Sequence, residues 1–141
     1  LLLVSRQQQN GENYTVTIPE EIEIAVSYFN ENYNTKISVA QYAESLHIST
    51  NWFIRNFKQH MKMSPAQYLL SLRMVNAQSL LENTDYSVGE IAEIVGYDNQ
   101  LYFSRVFKKE YGISPAQYRK RAENQSAAPM ESDVGEITRE D

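Results

Sequence analysis

Apolar positions recur at three- and four-residue intervals through the middle of this chain, and the longest such run is Ser64 to Glu82, SPAQYLLSLRMVNAQSLLE. Tyr68, Leu69, Leu72, Val75 and Leu80 are interspersed there with polar Gln67, Ser71, Arg73, Asn76 and Gln78, which is the pattern of a helix apolar on more than one side. Ser64 offers a hydroxyl as N-cap, and Pro65 stands at the first helical position, where its missing N–H costs nothing. These 19 residues make a rod about 28 Å long, with neighbours at both ends.

Shorter helices are predicted on either side. Leu1 to Pro19 reads as a linker, with a possible short extended piece at Tyr14-Thr15-Val16-Thr17-Ile18. Pro19 opens a packing helix over Glu20 to Tyr33, lined by Ile22, Ala25, Val26 and Phe29 and rich in Glu at its start. Ser38 begins a short helix to about Ser45, Leu46-His47-Ile48 forms a tight turn, and Ser49 caps a helix to about Met61. Helix, three-residue turn, helix is the signature of a helix-turn-helix. Beyond the rod, Asn83 to Tyr86 interrupts the pattern, Ser87 caps Val88 to Val95, and Gly96-Tyr97-Asp98 turns the chain. Asn99 or Asp98 then caps a helix to Tyr111, Gly112 ends it in a left-handed conformation, and Ser114-Pro115 starts a last helix to about Ala122. From Glu123 the apolar period is lost, and an acidic, disordered tail is expected over 123–141.

The chain repeats itself. Phe57-Lys58 and Ser64-Pro65-Ala66-Gln67-Tyr68 return 50 residues later as Phe107-Lys108 and Ser114-Pro115-Ala116-Gln117-Tyr118, with Arg55 and Arg105 in the same register. Upstream, Val39-x-x-Tyr42-Ala43-Glu44-x-Leu46 matches Val88-x-x-Ile91-Ala92-Glu93-x-Val95 at an offset of 49, so the second copy carries one extra residue around Asp98 and Asn99. Two copies are too few for a solenoid, which needs about three repeats. The expected class is all-α: a tandem domain over 20–122, with a first lobe at about 20–63, the rod at 64–82 and a second lobe at about 84–122.

Charge changes the picture through its distribution. The net charge of −5 argues at first against nucleic acid. Between Lys36 and Arg121, however, 11 basic residues face 7 acidic ones, so the repeats carry +4 and the flanks the acidity. Cys is absent, which fits a reducing, cytoplasmic setting. No run of eighteen apolar residues exists to span a membrane, and no partnership with one is expected. His47 and His60, the only histidines, have no carboxylate at metal-binding spacing beside them, and no Gly-rich phosphate loop occurs, so neither an enzyme nor a metal or cofactor site is expected.

The chemistry lies on the second helix of each pair. In Ser49 to Met61 the stripe Phe53, Phe57 and Met61, with Trp52 at its margin, leaves Asn51, Ile54, Arg55 and Lys58 on the other side. In the second copy the stripe Phe103, Val106, Phe107 and Tyr111 leaves Gln100, Leu101, Ser104, Arg105 and Lys108 outward. Arginine with amides on one helical face is the inventory that reads base edges, since Arg pairs with guanine and Asn or Gln with adenine. A solvated helix face is the bland reading of one such helix, and the matched Arg and Lys of two weigh against it. Tyr68, Tyr118, Trp52, Phe53, Phe57, Phe103 and Phe107 are read as lobe cores rather than stacking platforms, and Ala43 and Ala92 as close contacts between paired helices.

The repeated unit, above all Gly96-Tyr97-x-x-Gln100-x-Tyr102-Phe103-Ser104-Arg105-x-Phe107-Lys108-Lys109-x-x-Gly112-x-Ser114-Pro115-x-x-Tyr118-Arg119, closely resembles the AraC/XylS family of bacterial transcription regulators over about Ile22 to Arg121. The resemblance implies seven helices in two helix-turn-helix lobes joined by the rod, with base-reading positions at Asn51, Ile54, Arg55, Gln100, Leu101, Ser104 and Arg105. Phosphate contacts are expected from Lys58, Lys108, Lys109, Arg119, Lys120 and Arg121 and from the helix starts at Ser64 and Ser114, with Ser38 and Ser87 as further helix N-termini. The resemblance also implies double-stranded DNA and RNA polymerase as partners, an activator's role, and a preceding domain, absent from this sequence, that senses a small-molecule or other signal or dimerises. Three positions depart from the family pattern: Ile54 replaces a small polar side chain, Asn56 an apolar one, and Lys62 the glycine matched by Gly112. A Lys at positive φ costs on the order of 1 kcal/mol, which makes the first lobe the looser one. The rival reading is a helical protein-interaction module whose basic faces bind an acidic partner.

Overall fold

The computed structural model describes residues 17–126. Among them are seven helices and no strand: α1 Glu20–Asn32, α2 Val39–Ser45, α3 Thr50–Met61, α4 Pro65–Asn83, α5 Val88–Ile94, α6 Gln100–Tyr111, and α7 over residues 115–126. They belong to two compact units, the first ending at Leu72 and the second beginning at Arg73, so α4 is shared by both.

Short-range chemistry sets most helix starts. Ser38, Ser49 and Ser64 each accept a hydrogen bond through Oγ from the amide three residues on, at 3.2, 3.0 and 3.2 Å, and satisfy one of the four free N–H groups of α2, α3 and α4. Ser87 and Glu90 form a reciprocal capping box on α5, and Ser114 does the same with Gln117 on α7. Between the two candidate caps of α6, Asn99 is the one used, its Oδ1 accepting from the amide of Tyr102. At the start of α1 no side chain caps, and Glu20, Glu21 and Glu23 complement the helix dipole instead.

The first unit closes over Ile22, Ala25, Phe29, Ala43, Phe53, Phe57 and Leu69. Phe29 is its hub, with ring centroids 5.4 Å from Tyr42, 6.4 Å from Phe53, 5.8 Å from Phe57 and 6.4 Å from Tyr68. Tyr68 also donates from its hydroxyl to Asn30 Oδ1 at 2.7 Å, tying α4 to α1. The second unit buries Met74, Ala77, Leu81, Ile91, Ala92, Val95, Tyr97, Phe103 and Phe107. Phe107 meets Tyr118 at 5.6 Å, edge to face, as Phe57 meets Tyr68 at 5.6 Å in the first unit.

Two expectations need correction. The last helix runs on through Glu123 to Ser126 rather than stopping near Ala122, because Ala, Glu and Gln are good helix formers and no Gly or Pro occurs before Pro129. Val75, counted among the apolar positions of the rod, is 58% exposed, while neighbouring Met74 and Ala77 are buried. A helix apolar on two sides offers no single stripe from which to choose. Leu1 to Val16 and residues 127–141, which include most of the expected linker and tail, lie outside the described residues.

The turn of each helix-turn-helix needs a left-handed residue, and so does the end of each second helix. Gly96 and Gly112 fill these places in the second unit at φ 105° and 85°, whereas His47 and Lys62 fill them in the first at φ 62° and 67°. A side chain in that conformation is strained where glycine is not. A Cβ at Gly112 would meet nothing within 4 Å, so the cost of adding one is that of the backbone alone. Lys62→Gly is therefore expected to stabilise the chain and Gly112→Ala to destabilise it, each by about 1 kcal/mol in urea denaturation. Stability falling on Lys62→Gly would refute the strain assignment.

Candidate nucleic-acid interface

Side chains four apart on a helix lie on one face, and in both second helices that face belongs to phenylalanine. Phe53 and Phe57 of α3, and Phe103 and Phe107 of α6, are fully buried. This sets each helix's rotation about its axis and turns the remaining positions outward. On α3, Asn51, Ile54, Arg55 and Lys58 are all exposed. On α6, Gln100, Leu101, Arg105, Lys108 and Lys109 are exposed, with Leu101 at 70%, while Ser104 is half-buried at the edge of the face. The structure thus brings Asn51, Ile54, Arg55 and Lys58 together in the first unit, and Gln100, Leu101, Ser104, Arg105 and Lys108 together in the second.

Sequence reasoning placed other residues less well. Arg119, expected on phosphate, donates from Nε to the carbonyl of Leu81 and from Nη2 to that of Thr84, both at 3.1 Å. It closes the C-terminal end of α4, whose last carbonyls have no partner within their own helix. Beside it, Tyr118 donates its hydroxyl to Glu82 Oε2. Burial first, then the bonded carboxylate, push this phenol up to about 12. A raised phenol value contributes stability that is complete below its ordinary 10.0 and lost as pH rises through 12, so the brace holds throughout the neutral range. The Ser64 and Ser114 hydroxyls are engaged as caps, which leaves only first-turn backbone N–H groups at those helix starts for an anion. Lys120 and Arg121 are exposed on α7.

Three residues were missed. Tyr102, exposed at 56% on the first turn of α6, has its ring 5.8 Å from that of Tyr97 in the turn. Tyr97 lies beneath the Arg73 guanidinium, 5.3 Å from its ring centroid, and burial raises its phenol pKa against the opposing pull of that cation. Gly89 is the third. A Cβ there would come 2.8 Å from Gln100 Oε1, so this glycine of α5 makes room for the amide of a candidate base reader. The available signal was a glycine inside a helix where the first copy has Ala40.

Among the described residues, no group of three His, Cys, Asp or Glu is placed to hold a metal ion, and no helix is long and apolar enough to cross a membrane. What the two faces offer is guanidinium, amide and aliphatic groups aimed outward from rigid helices.

Comparison with known proteins decides the family. Residues 42–121 match the model of a helix-turn-helix domain of AraC type. The chain belongs to the AraC family of transcription regulators. It is 37% identical over 111 residues to the raffinose operon transcriptional regulatory protein RafR of Pediococcus pentosaceus, covering 79% of this chain and 40% of that protein. With the lactose operon transcription activator of Staphylococcus xylosus it shares 36% identity over 102 residues, covering 72% of this chain and 37% of that protein. The chain thus spans two fifths or less of the length of these curated relatives. Among solved structures, the C-terminal domain of AraT, a response regulator from Geobacillus stearothermophilus, superimposes with a TM-score of 0.71 at 36% identity, covering 75% of this chain and 88% of that one. The DNA-binding domain of AdpA, a global transcriptional factor solved in complex with a target DNA, does so with a TM-score of 0.69 at 30% identity, covering 79% and 98%. AraC-family relatives and neighbours are DNA-binding regulators, not enzymes.

Two substitutions separate brace from contact. Arg119→Ala is expected to cost about 1 to 3 kcal/mol of stability through two lost charge-assisted hydrogen bonds, whereas Lys120→Ala should leave the denaturation midpoint unchanged. Gly89→Ala should leave stability equal or slightly higher, since alanine is the better helix former by about 1 kcal/mol, while displacing the Gln100 amide. Amide chemical shifts of Gln100 that stay put in the Gly89→Ala variant would contradict this.

Proposed function

We propose that this chain is the double-stranded DNA-binding part of a transcription activator, and that α3 and α6 are recognition helices reading adjacent major-groove segments. The observation that carries the proposal is the matched outward register of Arg55 and Lys58 with Arg105 and Lys108, each pair set opposite two buried phenylalanines. Arg55 and Arg105 have the fork geometry for guanine O6 and N7, Asn51 and Gln100 pair with adenine, and Ile54 and Leu101 suit the thymine methyl. Ser104, at the edge of its face, serves either base. Each helix therefore prefers guanine next to an A·T-containing step. Lys58, Lys108, Lys109, Lys120 and Arg121, with the first-turn N–H groups after Ser64 and Ser114, are assigned to phosphates, where they position the helices without specifying sequence. Adjacent major-groove segments on one side of B-DNA lie about 34 Å apart, which sets the expected distance between the two half-sites.

The direction of regulation is taken from relatives such as the one named a lactose operon transcription activator. RNA polymerase as a partner, and a signal-sensing or dimerising domain elsewhere in the full-length protein, rest on family resemblance.

Selection of bound duplexes from a random pool tests the reading, and two variants refine it. Arg105→Ala is expected to lose roughly 1 to 3 kcal/mol of discrimination at one base pair, while Lys108→Ala weakens all duplexes alike and lowers the salt slope by about 1. An unchanged site preference in the Arg105→Ala protein would sink the assignment of α6. Salt-sensitive binding to an acidic peptide with none to duplex DNA would sink the whole reading.

A further inference from the structure

One aromatic side chain on the first turn of α6 takes part in none of the contacts assigned above. Tyr102 is exposed, one residue before fully buried Phe103. At about 100° per residue, Gln100 and Ser104 fall on one side of Arg105, whereas Tyr102 and Lys109, two turns apart, fall together on the other. The Tyr102 amide is held by Asn99 Oδ1 at 3.1 Å, and its ring lies against that of Tyr97, centroids 5.8 Å apart. Tyr97 is itself buried, meets Phe103 at 5.5 Å and sits beneath Arg73, to which its hydroxyl is bonded. Of the two phenols, the inner one thus has its partner. The hydroxyl of the outer one has none among the described residues.

We infer that Tyr102 donates its hydroxyl to a DNA phosphate on the groove wall that Lys109 also lines, and that Arg73, acting through Tyr97, is the residue that positions it. This role rests on the proposed docking of α6 in the major groove and adds to it a contact without charge. With Arg105 directed at the base edges, a side chain about 60° round the helix meets the wall of the groove rather than its floor. Tyrosine hydroxyls are among the donors that phosphates accept from, and an O–H bonds a charged oxygen more strongly than a neutral one. Because a phenol carries no cation it releases no counterion, so it adds affinity that salt does not remove. Lysine on the same wall does the opposite. A ring already braced by Tyr97 and Arg73 also loses little freedom on contact. In the first unit the matching residue, Trp52, 50 positions earlier, is half-buried against the core instead. If Tyr102 were only a prop for the turn, its ring would matter and its hydroxyl would not.

Binding of the 141-residue chain to its selected duplex and to random-sequence duplex is measured across a salt series, beside Tyr102→Phe and Lys109→Ala. Tyr102→Phe keeps the ring, so the denaturation midpoint, base preference and salt slope are expected to stay unchanged while both duplexes bind roughly three- to tenfold more weakly. Lys109→Ala weakens both as well but lowers the slope by about 1. Methylphosphonates placed one at a time along the selected duplex each exchange a charged phosphate oxygen for a methyl group. At one position the parent chain should lose markedly more affinity than the Tyr102→Phe protein. Arg73→Gln is expected to weaken binding about threefold on its own and not at all in the Tyr102→Phe background, whereas Arg73→Lys, which keeps a cation over the Tyr97 ring, retains it. Equal affinities of parent and Tyr102→Phe, a changed base preference, or no such methylphosphonate position overturns the phosphate role. The same loss from Arg73→Gln in both backgrounds overturns positioning by Arg73. A parent chain that binds no duplex sinks the DNA-binding reading itself, and the Tyr102 role with it.

Discussion

Everything the two outward faces can do depends on burying two phenylalanines one helical turn apart. A fully buried Phe side chain is worth roughly 1.5 to 3 kcal/mol, so turning α3 far enough to expose Phe53 and Phe57 forfeits several kcal/mol at once. One residue of rotation is about 100°, so the same burial that stabilises the unit also decides that Arg55, and not Asn56, points away from it. The second unit repeats the device with Phe103 and Phe107 around Arg105. Tyr68 and Tyr118 meet the second phenylalanine of each pair, Phe57 and Phe107, edge-on, and each gives its hydroxyl hydrogen to a neighbour, Asn30 in one unit and Glu82 in the other.

The two units solve the same packing problem with different fittings. The first gathers its aromatic rings around Phe29 of α1, where the second has the aliphatic Leu81 of α4 at the same spacing from Met74 and Ala77 as Phe29 from Ile22 and Ala25. The second instead anchors its turn through Tyr97 beneath Arg73 and fastens α7 to the end of α4 through Arg119. Both arrangements satisfy groups that would otherwise be left bare: ring faces in one unit, terminal helix carbonyls in the other.

What was legible in the sequence follows the range of the forces involved. Serine and asparagine caps, the proline starts and the period of the phenylalanines act within a few residues, and the helix limits read from them fall within about one residue of those observed, the end of α7 excepted. Both repeated words and both outward faces could be read for the same reason. Arg119 could not, because its acceptors lie 38 and 35 residues away, and nothing near it distinguishes a cation facing a carbonyl from one facing water. Gly89 stands out in the sequence only as a glycine inside a helix, and its reason, the side chain of Gln100 on another helix, does not show there. On α4, the choice between Met74 and Val75 depended on which neighbour lay alongside, and a helix apolar all round leaves that open.

Left-handed His47 and Lys62 also bear on how this domain can change over generations. New side chains on a recognition helix tend to destabilise, and a unit near its threshold tolerates few of them. By keeping strained residues where the sister unit has glycine, the first unit holds an untapped reserve: one substitution at either place offsets much of the penalty of a new outward side chain on α3. Change on the outward face is therefore easier to reach in the first unit than in the second, whose glycines have already used that reserve.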